Sequence, residues 1–174
     1  MGFEILRTDR LKIRQWEEKD ILPFTRMNQN PEVMRHFPSL LSAADSLKSV
    51  ERYARSIEAL GYGYFAIERL EEGDFIGFIG FMDQTYESPF TPAIDIGWRL
   101  KPEVWGKGYA TEGALACMRF AKEEFHFHDI ISVATSTNKG SHRVMQKLGM
   151  QQIGSFDHPK IPDNSVLKEC WVFK

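Results

Sequence analysis

The sequence has 174 residues, of which 43% are apolar and 26% are charged, and these proportions are those of an ordinary globular protein. Its formal net charge of −2 argues against bulk binding to nucleic acid or to an anionic membrane surface. The length predicts a single domain, residues 1–174, with a sizeable core.

Neither a membrane span nor a secretion signal is predicted. No stretch approaches the ~20 apolar residues that a spanning helix needs, and Met1–Arg7 lacks the apolar centre of a secretory signal. Cys117 and Cys170 are the only cysteines, and we interpret them as buried, inert thiols. We therefore expect a cytoplasmic protein in a reducing compartment.

Short strands and helices alternate in the N-terminal part. Residues Leu11–Trp16 alternate apolar and polar side chains, as a half-buried strand does. Asp20 is placed to cap a helix that continues to Asn28, and Asn30-Pro31 ends this helix. The aromatic and basic segment Met34–Pro38 is predicted to be a loop.

A longer helix is predicted from Ala43 to Leu60, with Ser42 as its N-cap and Gly61 as its stop. Its predicted apolar face repeats every three or four residues and consists of Leu47, Val50, Ala54, Ile57 and Leu60.

Three strands are predicted next. Tyr64–Glu68 and Phe75–Met82 have the pattern of paired strands. A loop from Gln84 to Pro92 then leads into a central strand, Ala93–Leu100.

A turn with two glycines in three residues follows the central strand, and a helical pattern begins at once. Gly106 and Gly108 allow the backbone dihedrals that arrange N–H groups around an anion. The first turn of a helix has unpartnered N–H groups and a dipole that favours negative charge. Lys107 adds a positive charge. The segment therefore predicts a phosphate-binding helix N-terminus.

The spacing of this turn disagrees with two other phosphate-binding motifs. A P-loop requires Gly-x-x-x-x-Gly-Lys-Ser/Thr, and no such string is present. A dinucleotide-binding fold requires Gly-x-Gly-x-x-Gly, and Thr111 occupies the position of the third glycine. Asp129 lies about 20 residues further on, but it precedes the next apolar run instead of ending it.

The rest of the sequence predicts helix, strand, helix and two strands. The first helix has an apolar face of Ala110, Ala114, Met118, Ala121 and Phe125. Ile130–Ala134 is the next strand, so that strand, helix and strand form a parallel crossover unit. A second helix covers Lys139–Leu148 and ends at Gly149. Gln151–Phe156 and Leu167–Phe173 are the last strands.

The glycine turn resembles the acyl-CoA pyrophosphate loop of the GNAT N-acetyltransferases. That family's motif is Gln/Arg-x-x-Gly-x-Gly/Ala, and residues 103–108 match it except at Glu103, which we expect to face solvent. The run from Trp105 to Glu112 is similar to the branch that includes the Rim-type ribosomal-protein N-acetyltransferases. The resemblance implies an α/β fold with a mixed sheet of about seven strands, flanked by about four helices, whose central parallel strands are splayed.

Acetyl-CoA is the cosubstrate that the resemblance implies, with no metal. In the family, the pantetheine arm lies between the two splayed strands, here Asp95–Leu100 and Ile130–Thr135. The residues implied to bind acetyl-CoA are Trp98, Arg99, Leu100, Trp105, Gly106, Lys107, Gly108, Tyr109, Ala110, Thr111, Asn138, Ser141 and Arg143.

The catalytic candidates are Ser141 and Asp95. Capping of the second helix alone explains Asn138, whereas the resemblance places Asn138 and Ser141 at pantetheine and the thioester sulfur. Many family members have a tyrosine acid where this sequence has Met145, so Ser141 is the candidate to hydrogen-bond the leaving sulfur. Asp95 lies where relatives often have an acid, and it is the candidate base. Three loop carboxylates remain as alternative bases or as solvated groups, namely Asp83, Glu87 and Asp157.

The histidines are not predicted to be catalytic or metal-binding. His142 follows Ser141, but adjacent helical side chains point about 100° apart, so the two cannot form a dyad. A helix C-terminus, which favours histidine, explains His126 and His128 better than a metal does.

The predicted function is acetyl-CoA-dependent acetylation of a primary amine by direct attack in a ternary complex, because no cysteine is placed to form an acyl-enzyme. The resemblance places the substrate entrance at Arg35–Ser39 and Asp157–Lys160, whose mixed charges select neither a protein N-terminus nor a small-molecule amine. Either a monomer or a homodimer fits. The alternatives are a catalytically silent acyl-CoA-binding sensor and a nucleotide-binding crossover domain.

Overall fold

The computed structural model describes residues 3–174. Its strands are β1 (Glu4–Arg7), β2 (Leu11–Arg14), β3 (Tyr64–Arg69), β4 (Phe75–Gln84), β5 (Ala93–Leu100), β6 (Ile130–Thr135), β7 (Gln152–Asp157) and β8 (Glu169–Phe173). Its α-helices are α1 (Glu18–Asn28), α2 (Pro31–Met34), α3 (Ala43–Leu60), α4 (Tyr109–Phe125) and α5 (Lys139–Lys147), and a 3-10 turn covers Pro102–Val104.

The described strands form one mixed sheet in the order β1-β2-β3-β4-β5-β6-β8-β7. Every neighbouring pair is antiparallel except β5 and β6, which run parallel. Because α4 connects these two strands, the predicted crossover unit is confirmed, as is the α/β fold class.

Within residues 3–174, the structure has one strand and one helix more than the sequence predicts. The extra strand, β1, has four residues and pairs with β2 across a tight turn. The extra helix, α2, is a single turn that Asn30 caps by accepting a hydrogen bond from the N–H of Glu32 at 2.9 Å. The Asn30-Pro31 pair therefore ends α1, as predicted, and also begins α2, since proline suits the first position of a helix.

The predicted cap of α1 is wrong by three residues. Glu17 occupies the N-cap position, and Asp20 is the third residue of the first turn. The Asp20 carboxylate accepts hydrogen bonds from the Glu17 N–H at 2.9 Å and from the buried Arg14 guanidinium at 2.6 and 2.9 Å. Asp20 and Glu17 thus form a capping box, and the pairing with Arg14 allows Asp20 to be buried.

Both predicted ends of α3 are confirmed. The Ser42 hydroxyl accepts a hydrogen bond from the N–H of Asp45 at 3.1 Å, and Gly61 ends the helix at a φ of 78°. The predicted apolar face is only partly correct, because Leu47 and Leu60 are 39% and 48% exposed. Tyr53 is buried instead, which rotates the packed face of the helix.

The helices cover both faces of the sheet. Phe78 in β4 packs against the rings of Trp16 and Tyr53, on the face covered by α1 and α3. The next residue, Ile79, points to the other face, where its side chain lies 2.6 Å from the position that a Cβ on Gly113 of α4 would occupy. Gly113 therefore allows α4 to lie close against the sheet.

Among residues 3–174, no helix is both long and apolar enough to span a bilayer.

Candidate active site

The candidate active site lies where the parallel strands β5 and β6 separate. Their register pairs only residues 94 and 95 with residues 130 and 131, and residues 132–135 of β6 pair with β8 instead. The splayed central strands that the sequence implies are therefore present.

Two side chains bridge the gap between the separated strands. The Ser132 hydroxyl donates a hydrogen bond to the carbonyl of Ile96 at 2.8 Å. The N–H of Val133 donates to Oδ1 of Asp95 at 3.0 Å. Both bonds take the place of backbone pairing, so they hold the strands at a distance that leaves a slot between them.

A cavity of about 720 Å³ opens at this slot. Its lining includes residues from both faces of the sheet, such as Tyr64 and Phe78 on one side and Met145 on the other. Among the predicted catalytic and cosubstrate-binding residues, Lys107, which is exposed, is the one that does not line the cavity. The predicted residues that line it are Asp95, Trp98, Arg99, Leu100, Trp105, Gly106, Gly108, Tyr109, Ala110, Thr111, Asn138, Ser141 and Arg143.

The glycine turn has the geometry of an anion site. Gly106 and Gly108 have φ values of 74° and 86°, in the left-handed region that favours glycine. Gly108 is the N-cap of α4, and no side chain caps this helix end. Trp105 closes the turn by donating from Nε1 to the carbonyl of Leu100 at 2.8 Å. The N–H groups of the first turn of α4 are therefore available to a diphosphate, and the site fits the one in coenzyme A.

An ion pair from the other end of the chain anchors the glycine turn, and sequence reasoning missed it. Arg10 donates from Nε to Glu112 Oε2 at 2.6 Å and from Nη1 to the carbonyl of Lys107 at 3.0 Å, and its guanidinium lies 4.4 Å from the Tyr109 ring centroid. Thr8 adds a hydrogen bond to Glu112 at 2.5 Å. Burial would raise the pKa of Glu112, but the hydrogen bonds from Thr8 and Arg10 outweigh it and lower the pKa.

The start of α5 faces the cavity from the α4 side. Asn138 caps α5 by accepting a hydrogen bond from the N–H of Ser141 at 3.1 Å, as the capping interpretation predicts. Both residues also line the cavity, as does the buried Met145. Since Met145 has no proton to give, Ser141 is the hydroxyl that α5 contributes to the site.

Asp95 is a buried carboxyl in the slot. Besides the Val133 N–H, it accepts a hydrogen bond from Nε2 of Gln84 at 3.2 Å. Burial raises the pKa of Asp95 to about 7, although the hydrogen bonds from Val133, Gln84 and Tyr64 partly oppose this rise. A carboxyl with such a pKa is suited to accept a proton near neutral pH.

The other candidate bases lie away from the cavity. Asp83, Glu87 and Asp157 are exposed and do not line it. Asp83 instead accepts a hydrogen bond from the Tyr62 hydroxyl at 3.1 Å. Asp95 is therefore the one predicted base that the structure brings to the slot.

One cysteine lies nearer to the site than the sequence suggests. Cys117 and Cys170 are both free and buried, and Cys170 lines the cavity. Burial, together with the nearby charges of Asp157 and Glu169, raises the pKa of Cys170 to about 11. The thiol is therefore protonated at neutral pH and is a poor nucleophile.

His142 and His126 take structural positions outside the cavity. His142 does not line the cavity, and its ring stacks on those of Trp171 and Phe173, with centroids 4.7 and 5.4 Å away. His126 caps the C-terminus of α4 in the left-handed conformation. Among residues 3–174, no group of histidine, cysteine, aspartate and glutamate side chains could hold a metal ion.

The predicted entrance lines the cavity on the face of α1 and α3. The residues of the two predicted segments that do so are Arg35, His36, Phe37, Pro38, His158 and Lys160. Arg99, which the resemblance implies as a cosubstrate ligand, points to the same face and donates from Nη1 to Oδ1 of Asn28 at 2.7 Å. Burial lowers the pKa of Arg99.

Solved structures share this fold. The GNAT-family acetyltransferase from Bacillus anthracis superimposes with a TM-score of 0.79 at 26% sequence identity, over 99% of this chain and 96% of that one. RimL, a ribosomal L7/L12 alpha-N-protein acetyltransferase solved with CoA, has a TM-score of 0.78 at 15% identity, over 98% and 96% of the chains. The spermidine N-acetyltransferase of Vibrio cholerae, solved with CoA and spermine, has a TM-score of 0.74 at 18% identity, over 95% of each chain.

The sequence comparisons agree with the fold. The chain is 30% identical to the "Uncharacterized N-acetyltransferase YnaD" of Bacillus subtilis (strain 168), over 87% of this chain and 85% of that protein. Residues 10–151 match the acetyltransferase (GNAT) domain. The protein is therefore a member of the GNAT family of N-acetyltransferases.

Proposed function

We propose that the protein transfers the acetyl group of acetyl-CoA to a primary amine by direct attack in a ternary complex. The observation that carries this proposal is the slot between β5 and β6, which has an uncapped helix N-terminus at one end and the buried carboxyl of Asp95 within it. A phosphate site, an extended slot and a proton acceptor are what this reaction requires of a protein.

The glycine turn and α5 hold the cosubstrate. The first N–H groups of α4, at Tyr109, Ala110 and Thr111, bind the diphosphate, and the positive-φ glycines give them room. The pantetheine arm lies along Trp98 and Leu100, in the slot where β5 has lost its partner strand. Lys107 and Arg143 add positive charge near the phosphates.

Asp95 acts on the attacking amine and Ser141 acts on the leaving sulfur. The amine nitrogen forms a bond to the thioester carbon, and the carbon–sulfur bond breaks. Asp95 accepts the proton that the amine loses, directly or through water. Ser141 donates a hydrogen bond to the sulfur, which needs little more help because a thiol of this kind has a pKa of about 8.5.

The acceptor is a small-molecule amine or a protein N-terminus. Both classes are represented among proteins of this fold, as the names of RimL and of the spermidine N-acetyltransferase show. We place the reaction in the cytoplasm, where a reducing environment keeps Cys117 and Cys170 as the free thiols seen here. The protein acts as a monomer or a homodimer.

Two measurements test this function. Calorimetry with CoA should give a dissociation constant, and thiol release from acetyl-CoA should depend on an added amine. If CoA produces no binding heat, the diphosphate site is refuted. If acetyl-CoA binds and no amine in a broad panel releases thiol, the protein is an acyl-CoA-binding sensor. The methionine at position 145 favours that second candidate, because it has no proton to give to the leaving sulfur.

A further inference from the structure

The half-buried side chain of Arg99 lines the cavity and has no carboxylate partner among residues 3–174. Arg99 lies over the rings of Phe37 and Phe78, with its central carbon 4.0 and 5.4 Å from their centroids. Nη1 donates to the Asn28 amide oxygen, but Nε is buried and has no hydrogen-bond partner among residues 3–174. A buried N–H donor without a partner is costly, and a charge that is partly removed from water favours an opposite charge beside it. Arg99 is therefore placed to bind an anionic group of a ligand that enters the cavity.

The charges around Arg99 point in the same direction. On this side of the cavity, Arg35 and Lys160 also line the wall, and within residues 3–174 neither they nor Arg99 forms an ion pair. The acids in the lining are Glu32 and Asp95, and Asp95 is already hydrogen-bonded across the slot. The acceptor side of the cavity thus has an excess of positive charge, which favours an acceptor with a negative group and disfavours a polycation.

The strand geometry gives the order of the two charged groups. Asp95, Gly97 and Arg99 alternate along β5 and lie on one face of the sheet, with glycine between the charged residues. Four residues of extended strand span roughly 13 Å. The wall above this floor is aromatic and consists of Phe37, Tyr53, Tyr64, Phe78 and Tyr86. Tyr64 covers Gly97, because its hydroxyl lies 2.7 Å from the position that a Cβ there would occupy. Asp95 and Arg99 line the same cavity on either side of this ring, so an extended molecule with an apolar middle that passes over Tyr64 can reach from one to the other.

We propose that the acceptor is an amine that carries a carboxylate, and that Arg99 binds this carboxylate while the amine lies at Asp95. This inference rests on the proposed acetyl transfer and gives its substrate class. Arg99 is then a specificity residue for the acceptor, and its side chain is not a ligand of the cosubstrate.

The first test uses the wild-type protein and pairs of amines that differ only in the negative charge. Thiol release is measured with 4-aminobutanoate, 6-aminohexanoate and 8-aminooctanoate and with the amide of each, and with the peptide pair Ser-Ala-Asp-amide and Ser-Ala-Asn-amide. We expect at least one acid to exceed its neutral partner by about 10- to 100-fold in kcat/KM, as loss of a buried charge-assisted bond implies. Preference within the aminoalkanoates alone identifies a small-molecule acceptor, and preference within the peptide pair alone identifies an acidic peptide.

Equal or better use of the neutral partner in every pair overturns the proposal. If no amine releases thiol, the acetyl-transfer function fails, and calorimetry of the same pairs with the CoA-saturated protein still decides the carboxylate preference. A tighter acid sustains the preference, and equal affinities reject it.

The second test locates the preference at Arg99. In Arg99→Gln the ratio of acid to amide should fall to about one, whereas Arg99→Lys should keep part of it because the charge remains. Arg119→Gln removes the same charge from the exposed face of α4, outside the cavity, and should keep the wild-type ratio. An unchanged ratio in a folded Arg99→Gln protein rejects the assignment, and the wild-type ratios stand as the test if that variant does not fold.

Discussion

Replacing Asp95 with asparagine removes the ionisable group from the slot but keeps its shape. The new amide oxygen can accept the N–H of Val133, which lies 3.0 Å from Oδ1 of Asp95. Rotation of the Gln84 amide, now 3.2 Å away, would present its oxygen to the new NH₂ group. The variant should therefore fold.

The pKa of Asp95 fixes the size of the expected effect. This pKa is raised to about 7 in the folded protein, against about 3.9 for an ordinary aspartate, and each pH unit corresponds to about 1.4 kcal/mol. The folded state holds the proton more tightly than the unfolded chain, so the ionised carboxyl destabilises the fold. The cost is absent below about pH 4, grows as the pH rises, and levels off above pH 7 at about 4 kcal/mol.

Urea unfolding at pH 5 and pH 8 measures this cost. Between these values the free energy of unfolding of the wild type should fall by about 2.5 kcal/mol relative to that of Asp95→Asn. Asp83→Asn removes an exposed carboxyl outside the cavity and should follow the wild type. Parallel stability profiles for the wild type and Asp95→Asn would refute the raised pKa.

Catalytic activity should change with pH in the direction opposite to that of the free energy of unfolding. In the wild type, kcat/KM should rise with pH through about 7, as Asp95 ionises. Asp95→Asn should lower it about 10²- to 10⁴-fold at pH 8, as loss of a general base does. A variant that keeps the wild-type rate would rule out Asp95 as the base.

Three further changes probe the rest of the site. Gly108→Val should weaken CoA binding at least about 10-fold in calorimetry, because the φ of 86° at this position strains a branched residue. The control Gly73→Val, at a φ of 67° in a distant turn, should affect stability alone. Equal CoA affinities in the two variants would contradict the anion site. Arg10→Gln and Glu112→Gln should each weaken CoA binding several-fold, because each breaks the same ion pair. The double variant should bind CoA little more weakly than either single variant, and additive losses of affinity would argue against a shared anchor. Ser141→Ala should lower kcat by about 10-fold or less, because it removes one neutral hydrogen bond, and a complete loss would instead indicate an obligatory proton donor.

The elements with local signals were the predictable ones. The ends of α3 follow from the chemistry of Ser42 and Gly61, and the glycine turn at residues 106 and 108 has its own spacing. The start of α1 was misplaced because Asp20 has the composition of a cap, and only its pairing with Arg14 explains its true position.

Long-range contacts had no such signal. Glu112 has the pattern of an acid in the first turn of a helix, and nothing in the sequence indicates that its partner is Arg10, 102 positions away. The place of Cys170 in the cavity wall depends on how β8 pairs with β6, which periodicity does not define. The division of the cavity into a cosubstrate side and an amine side likewise depends on the face of the sheet to which Arg99 points.

The slot passes through the sheet, with Met145 lining it on one face and Tyr64 on the other. The cosubstrate and the amine can thus enter from opposite faces of the sheet and meet in the slot, each through its own entrance. Binding of one substrate does not block the entrance of the other. The fold by itself therefore imposes no fixed order of substrate binding or product release. Steady-state kinetics should then give intersecting lines, with each product inhibiting mainly against the reactant that uses its own side.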